Sequence, residues 1–207
     1  MSISIIRPPV TTSDDSDILE LGSEKELIPL HVAEKAADVS AKMILSFRGK
    51  RKVEKAYQAF RKAVETGNDI YGTTTGFGPF VKFASSGRFC DEQGKNLIAH
   101  LCAGSGEASP LWIVRITQII RANTLAQGYS GTNPGVLEKY IHLFNEGLVP
   151  CVPRLGSLGA SGDFVPLAHI VRGLTGEVGM ARVNMGIYIK TDLMRAFLAP
   201  KLKNRWS

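Results

Sequence analysis

The chain has 207 residues, of which 44% are hydrophobic and 21% are charged, a composition typical of a globular domain and not of a disordered chain. Its net charge of +6 comes mostly from the tail at residues 181–207, which carries six basic residues and one acid. Because the charge is confined to a tail that contains no known nucleic-acid-binding motif, we expect no nucleic-acid partner.

The ends and the cysteines give no sign of export or metal binding. The N-terminal residues MSISIIRPPVTTSDDSD lack the apolar run of a signal peptide, and no uncharged apolar stretch is long enough to span a membrane. Cys90, Cys102 and Cys151 are too few and too scattered for a disulfide framework or a zinc site. We therefore expect a cytoplasmic protein with reduced thiols, no membrane partner and no metal.

The first predicted elements are an irregular segment, two helices and a loop. Residues 1–28 contain a Pro-Pro pair and a run of Thr, Ser and Asp, and are expected to be irregular. Helices are predicted over about 30–46 and 51–66, the second ending at Gly67. Residues 71–90 carry four glycines and predict a long loop, and loops of this length in compact domains are often functional.

Two helices are predicted after this loop. One runs over about 91–103. The next begins at Ser109-Pro110, where the serine would cap the helix and the proline would stand in its first turn, and it ends near Gly128. Its apolar residues at helical spacing are expected to be buried: Trp112, Ile113, Ile116, Ile119 and Ile120.

The last predicted helices flank a segment rich in glycine and proline. Asn133-Pro134 begins a helix that ends at Gly147. The segment GLVPCVPRLGSLGASG at residues 147–162 is expected to be irregular, and Asp163 is expected to cap a final helix that runs to about residue 173. Since no strand with strong alternation is present, the predicted fold class is mainly α.

Three very small residues, Ala160-Ser161-Gly162, precede this final helix. Because glycine has no side chain, a tight bend would let the Gly162 nitrogen attack the Ala160 carbonyl carbon. Loss of one water from the new ring and another from Ser161 would leave a dehydroalanine in a five-membered ring, which is an electrophile. The N-terminus of the following helix would favour negative charge there. The alternative interpretation is a small-residue turn capped by Asp163.

The longer stretch GLVPCVPRLGSLGASGDFVPLAHI resembles the signature of the aromatic amino-acid ammonia-lyases and aminomutases, the family of the histidine, phenylalanine and tyrosine ammonia-lyases. The resemblance implies that Ala160, Ser161 and Gly162 cyclise to 4-methylidene-imidazol-5-one (MIO), with no external cofactor. Asp163 would support this triad or cap the helix. The resemblance covers roughly residues 25–180.

The stretch DIYGTTTGFG at residues 69–78 is similar to the tyrosine loop of the same family. The resemblance implies that Tyr71 is the base that removes a proton from the substrate β-carbon and that Gly78 contacts the substrate. A free tyrosine has a pKa of about 10, so such a base needs activation at neutral pH. Taken alone, Tyr71 would be an aromatic residue half-buried beside a glycine-rich loop.

The stretch NLIAHLCAG at residues 96–104 resembles the family helix that carries a pair of substrate-selecting residues. In the family this pair is Phe-Leu for phenylalanine, Ser-His for histidine and His-Leu for tyrosine, and this chain has His100-Leu101. An imidazole can hydrogen-bond a phenol hydroxyl, which favours tyrosine. The alternative is a histidine whose hydrogen bonds are satisfied within the helix core.

The resemblance implies the all-helical, fumarase/aspartase-like fold of the ammonia-lyases, of which this chain is the N-terminal and early central-helix portion. We expect residues 29–207 to form the MIO-bearing part of one domain, truncated on its C-terminal side. Family motifs that supply an asparagine, a glutamine, a further tyrosine, a carboxylate-binding arginine and a glutamate are not found in this sequence. The full-length family forms homotetramers.

The function implied is elimination of ammonia from an aromatic amino acid, with tyrosine favoured. Three alternatives stay open: a tyrosine 2,3-aminomutase, a histidine ammonia-lyase, and an inactive fragment or subunit that requires a separate C-terminal half. The His100-Leu101 pair argues against the histidine enzyme but does not separate elimination from amino migration.

Overall fold

The computed structural model describes residues 18–24, 27–38, 40–82, 88–159, 162–175, 180–182 and 187–189. Helices dominate this part of the chain, which confirms the mainly α class. The helices are α1 (Pro29–Ala37), α2 (Phe47–Glu65), α3 (Arg88–Leu101), α4 (Leu111–Ala126), α5 (Pro134–Asn145) and α6 (Phe164–Gly173), with a 3-10 helix at Gly78–Lys82.

Short strands are also present, which the sequence pattern does not predict. Strands β1 (Ile18–Leu21) and β2 (Lys42–Leu45) are parallel, β3 (Ser105–Ala108) is antiparallel to β5 (Pro153–Leu155), and β4 (Leu148–Pro150), β6 (Met180–Arg182) and β7 (Ile187–Ile189) form an antiparallel sheet in that order. Each strand has three or four residues. Runs this short are too brief to show a period of two, so the sequence carries no strand signal.

Strands β1 and β2 correct two predictions for the N-terminal part. Strand β1 lies within residues 1–28, which were expected to be irregular, and residues 1–17 of that segment lie outside the described residues. Helix α1 ends at Ala37 instead of near residue 46, because the Asp38 carboxylate accepts hydrogen bonds from the amide and the hydroxyl of Ser40 and turns the chain. The chain then enters β2.

The side chain of Asn145 anchors β2. Its Oδ1 atom accepts a hydrogen bond of 2.8 Å from the Met43 amide, and its Nδ2 atom donates one of 2.8 Å to the Met43 carbonyl. The side-chain amide thus replaces a neighbouring strand on that edge. As a result, the end of α5 is joined to the β1–β2 pair.

One hydrophobic core joins β1, β2, β4, α1, α2, α4, α5 and α6. The chain approaches itself closely at Gly22, which has a φ of +68° and would place a Cβ atom 2.8 Å from the Ala126 carbonyl and from the Gly49 Cα. Only glycine fits a left-handed residue packed against two backbones. The fully or nearly buried apolar residues include Leu19, Leu21, Val32, Met43, Val53, Ile119, Leu137, Phe144, Leu148 and Ile170.

Helix α4 turns a different face to the core than its apolar pattern suggested. Ile119 is buried as predicted, but the Trp112, Ile113 and Ile120 side chains are 48%, 41% and 53% exposed. The inward face instead carries Arg115, Gln118 and two alanines. A helix that is apolar on most of its surface gives no sequence signal for which side faces inward.

Arg115 is buried and links α4 to the end of α1. Its Nε atom donates a hydrogen bond of 2.9 Å to the Ala36 carbonyl, and one Nη atom donates one of 2.8 Å to the Asp38 carbonyl. Its guanidinium carbon lies 4.1 Å from the centre of the Phe144 ring. Burial lowers the pKa of Arg115 to about 10, partly opposed by the Asp38 carboxylate, so the side chain is charged at neutral pH.

Two of the predicted helix starts can be judged from their caps. The Asn133 side chain accepts a hydrogen bond from the Gly135 amide, and Pro134 is the first residue of α5, which confirms the predicted start of that helix. The predicted Ser109 cap of α4 is wrong: Pro110 takes the cap position and no side chain caps the helix. The backbone amide of Ser109 donates instead to the Val152 carbonyl.

Within the described residues, the helices are all too short or too polar to cross a membrane.

Candidate active site

The loop that carries Tyr71 follows α2 and is held by hydrogen bonds between its own residues. The Ile70 carbonyl accepts from the amides of Thr73, Thr74 and Thr75. The Thr74 hydroxyl accepts from the Ile70 amide at 2.7 Å and donates to the Asn68 carbonyl at 2.8 Å. These bonds give the loop a defined shape. The long loop predicted over residues 71–90 is wrong at both places where the structure has helix, the 3-10 helix at Gly78–Lys82 and the start of α3 at Arg88.

Tyr71 is 63% exposed, and its phenol oxygen accepts a hydrogen bond of 2.9 Å from the Gly78 amide. Its ring meets the Phe77 ring edge to face, with centroids 5.9 Å apart and an interplanar angle of 88°. Gly72, with a φ of +72°, makes room for the Phe77 ring, which would clash with a Cβ atom at that position. A backbone N–H directed at the phenol oxygen stabilises negative charge on that oxygen.

Helix α3 is bonded to this loop through Gln93, whose Nε2 atom donates a hydrogen bond of 3.1 Å to the Thr75 carbonyl. Between the helix and the loop lies an open groove of about 400 Å³, a volume within the range of small-molecule sites. The groove is lined by Phe77, Glu92, Gln93, Asn96, Leu97 and His100.

The structure therefore brings His100 and the Tyr71 loop to one groove, while Leu101 is half-buried and does not line it. The sequence motifs predicted no role for Phe77, Glu92, Gln93 or Asn96. The sequence does carry a signal for two of them. Glu92 and Asn96 are polar residues that stand eight and four positions before His100, on the same face of the helix.

The predicted triad is described only in part, because Ala160 and Ser161 lie outside the described residues. Gly162 has a φ of +96°, and an added Cβ atom there would meet nothing within 4 Å. Its carbonyl accepts a hydrogen bond from the Phe164 amide. This backbone conformation favours glycine, and the space beside Gly162 is open.

Asp163 occupies the cap position of α6, but its side chain makes no cap hydrogen bond, so the predicted cap by that carboxylate is wrong. Instead its Oδ1 atom accepts a hydrogen bond of 2.8 Å from the Ser157 hydroxyl. This bond joins the two ends of the segment 157–163, which contains the triad.

Helix α6 packs against α3, so the segment that follows the triad contacts the helix that lines the groove. On α6, both ring nitrogens of His169 are buried and have no hydrogen-bond partner among the described residues. Burial lowers the pKa of His169, and the nearby positive charge of Arg172 lowers it further. The imidazole is therefore held neutral at physiological pH.

Among the described residues, no cluster of three or more His, Cys, Asp or Glu side chains could hold a metal ion. The thiol of Cys151 is half-buried, and burial raises its pKa. Raising the pKa disfavours the reactive thiolate form of this cysteine.

The chain is similar in sequence to aromatic amino acid lyases. A family model described as aromatic amino acid lyase matches residues 29–200. A probable histidine ammonia-lyase of Thermoplasma volcanium is 39% identical over 149 residues, which are 72% of this chain and 30% of that protein.

Solved structures of two similar proteins share the fold. The histidine ammonia-lyase of Trypanosoma cruzi superposes with a TM-score of 0.78 at 26% identity, covering 88% of this chain and 35% of that one. The tyrosine aminomutase of Streptomyces globisporus superposes with a TM-score of 0.75 at 30% identity, covering 84% of this chain and 32% of that one. The chain thus spans about a third of the length of these proteins.

Proposed function

Because this chain belongs to the aromatic amino acid lyase family, we propose that it supplies part of the active site of an ammonia-lyase that acts on an aromatic amino acid. Its fold is the N-terminal and early central-helix portion of the all-helical ammonia-lyase fold. The observation that carries the proposal is the groove, where the Tyr71 loop and His100 meet.

The described residues around the triad fit an MIO group formed from Ala160, Ser161 and Gly162. Gly162 has the left-handed backbone that a tight bend needs, and the space beside it is open. The hydrogen bond between Ser157 and Asp163 holds the ends of the bend together. When formed, MIO supplies an electrophile that makes the substrate amino group a better leaving group.

Tyr71 acts as the base in this proposal. Its phenol oxygen takes the proton from the substrate β-carbon, a double bond forms between the α- and β-carbons, and the amino group leaves as ammonia. The Gly78 amide holds the phenol oxygen in place and stabilises the negative charge that the base must carry. The edge-to-face contact with Phe77 orients the Tyr71 ring.

Tyrosine is the favoured substrate, because the family pair at His100-Leu101 is of the tyrosine type and His100 lines the groove. Histidine is a second candidate, because the curated relatives that this chain matches include several histidine ammonia-lyases. An aminomutase is a third, because the structural neighbours include phenylalanine and tyrosine aminomutases. In that case the amine would return to the β-carbon instead of leaving.

The same resemblance supports two expectations about the whole protein. The full-length enzyme would be a homotetramer, and it would act in the cytoplasm on a free aromatic amino acid without an external cofactor.

The proposal is tested by intact mass and by product analysis. Cyclisation makes the chain lighter by two water molecules, so we expect this deficit in the wild-type protein and in Tyr71→Phe, but not in Ser161→Ala. The Tyr71→Phe variant is the matched control, because it removes the base and leaves the triad unchanged. A wild-type chain of full mass would contradict the proposed cofactor.

The substrate is identified from the products that the enzyme forms. The chain, alone and co-expressed with the C-terminal part of a family member, is incubated with tyrosine, histidine or phenylalanine, and coumarate, urocanate, cinnamate and β-amino acids are measured. We expect coumarate, and a loss of about a hundredfold or more in Tyr71→Phe. Urocanate as the main product would show that the histidine alternative is correct, and a β-amino acid would show that the aminomutase is.

A further inference from the structure

Thr75 is a buried residue of the Tyr71 loop, and each of its polar groups is hydrogen-bonded. Its amide donates to the Ile70 carbonyl at 3.3 Å, and its hydroxyl accepts from the Gly72 amide at 3.3 Å. These two bonds stay inside the loop, so they give it a shape but do not fix its position on the rest of the protein. The Thr75 carbonyl is bonded to α3 instead, through the Gln93 side chain.

The bond to Gln93 connects the loop to another element of the fold. The Gln93 Nε2 atom donates to the Thr75 carbonyl at 3.1 Å, between residues 18 positions apart in the chain. Between described residues, the other hydrogen bonds of residues 70–78 are all made within residues 68–80. Gln93 stands about two turns before His100 on the same face of α3. The bond therefore sets the distance between the loop and the helical wall of the groove.

Thr75 also stands between the two ends of the hydrogen bond that joins Tyr71 to Gly78. It follows Tyr71 by four residues and precedes Gly78 by three, with Gly72 and Gly76 in the two intervening stretches. A segment that contains glycines loses much conformational entropy when it is ordered. Because Gln93 fixes the middle of this segment, less entropy is left to lose when the Gly78 amide meets the phenol oxygen.

We propose that Gln93 is a positioning residue for Tyr71, because by holding the Thr75 carbonyl on α3 it keeps the Gly78 amide on the Tyr71 phenol oxygen. This inference rests on the proposed function, since it names a residue that acts through the proposed base. Gln93 acts through the loop backbone and not through a contact with the phenol.

The neighbouring polar side chains of α3 do not replace Gln93 in this role. An ionised glutamate only accepts hydrogen bonds, so Glu92 cannot bind a carbonyl. Asn96 lies three residues farther along the helix, and among the described residues the loop receives its hydrogen bond from Gln93 and not from Asn96. Loss of one hydrogen bond between neutral groups shifts an equilibrium about fivefold, which sets the size of the expected effect.

The test measures amide hydrogen exchange in the 207-residue chain by NMR. Gln93→Met keeps the length of the side chain but has no N–H donor, so we expect the Gly78 amide to exchange about fivefold faster than in the wild type. Gln93→Glu keeps the shape and replaces the donor with an acceptor, and it should give at least the same increase. Lys95→Met is the matched control, because Lys95 is exposed on α3 and does not line the groove. It should leave the Gly78 amide unchanged.

A double-variant comparison separates positioning from a general loss of helix stability. Tyr71→Phe removes the phenol oxygen, so it should speed exchange of the Gly78 amide in the wild-type background. In the Gln93→Met background it should add little, because the bond that it removes is already mostly open. The amides of α3 should exchange at wild-type rates in both Gln93 variants.

Three results would each overturn the inference: an unchanged Gly78 amide in the Gln93 variants, an equal effect of Tyr71→Phe in both backgrounds, or faster exchange along the whole of α3. The proposed function is read separately by the mass deficit and the products. A normal deficit and coumarate formation with an unchanged Gly78 amide would remove this inference alone. The expected exchange pattern in a chain of full mass would remove the proposed cofactor and leave the role of Gln93 in the loop standing.

Discussion

At the scale of single residues, the Tyr71 loop depends on glycines whose roles differ. Gly72 has a φ of +72° and lies under the Phe77 ring, so it needs both a left-handed backbone and the absence of a side chain. Gly67, with a φ of +74°, needs only the backbone, because an added Cβ atom there would meet nothing within 4 Å. Substitutions at Gly72 and Gly67 therefore separate the energetic cost of backbone strain from the cost of a steric clash.

We predict that Gly72→Ala lowers the free energy of unfolding by about 3 kcal/mol, because strain and a clash with Phe77 add together. Gly67→Ala, the matched control, should cost only the strain of about 1 kcal/mol. Urea denaturation measures both. Equal losses in the two variants would show that the ring of Phe77 moves aside without cost.

At the scale of elements, Arg115 adds polar contacts to the apolar packing of α1 against α4. Its guanidinium satisfies two carbonyls at the end of α1 and stacks on Phe144 of α5. Removing it would leave the buried Ala36 carbonyl and the part-buried Asp38 carbonyl without these donors. One side chain therefore contacts α4, the end of α1 and α5, and helps to fix their positions relative to one another.

Replacing Arg115 with methionine keeps most of the volume but removes both hydrogen bonds, so we predict a loss of about 2–3 kcal/mol of unfolding free energy. Arg121→Met is the control, because Arg121 is exposed on the same helix, and it should change stability by less than about 0.5 kcal/mol. Thermal unfolding followed by circular dichroism distinguishes the two. An Arg115→Met variant as stable as the wild type would mean that the buried charge costs as much as its contacts contribute.

At the scale of the whole molecule, the exposed face of α4 is the notable surface. Trp112, Ile113 and Ile120 lie on one side of the helix, next to the half-buried Ile116. Contiguous apolar surface of this kind drives association in water. We therefore expect the 207-residue chain to self-associate through this face.

The double variant Trp112→Glu and Ile120→Glu should remain monomeric at concentrations where the wild-type chain associates, as measured by sedimentation velocity over a concentration series. Val136→Glu is the control, because Val136 is an exposed apolar residue on α5 and should leave association unchanged. A wild-type chain that stays monomeric throughout would contradict the prediction.

The sequence by itself determined the features that depend only on residues next to one another in the chain. The family signatures around Tyr71, His100 and the triad are linear, and the helix start at Asn133-Pro134 follows from local capping chemistry. For this reason the family, the mainly α class and the approximate positions of most helices could be predicted.

Only the tertiary structure decided which groups meet. The two hydrogen bonds of Arg115 to α1, the partner of the Asp163 carboxylate and the groove between Phe77 and His100 join residues that are apart in the chain. The short strands form because a neighbouring segment supplies their hydrogen bonds, and α4 faces inward with Arg115 because that side chain finds its carbonyl partners there. Such contacts depend on distance in space, and local sequence patterns carry no information about it.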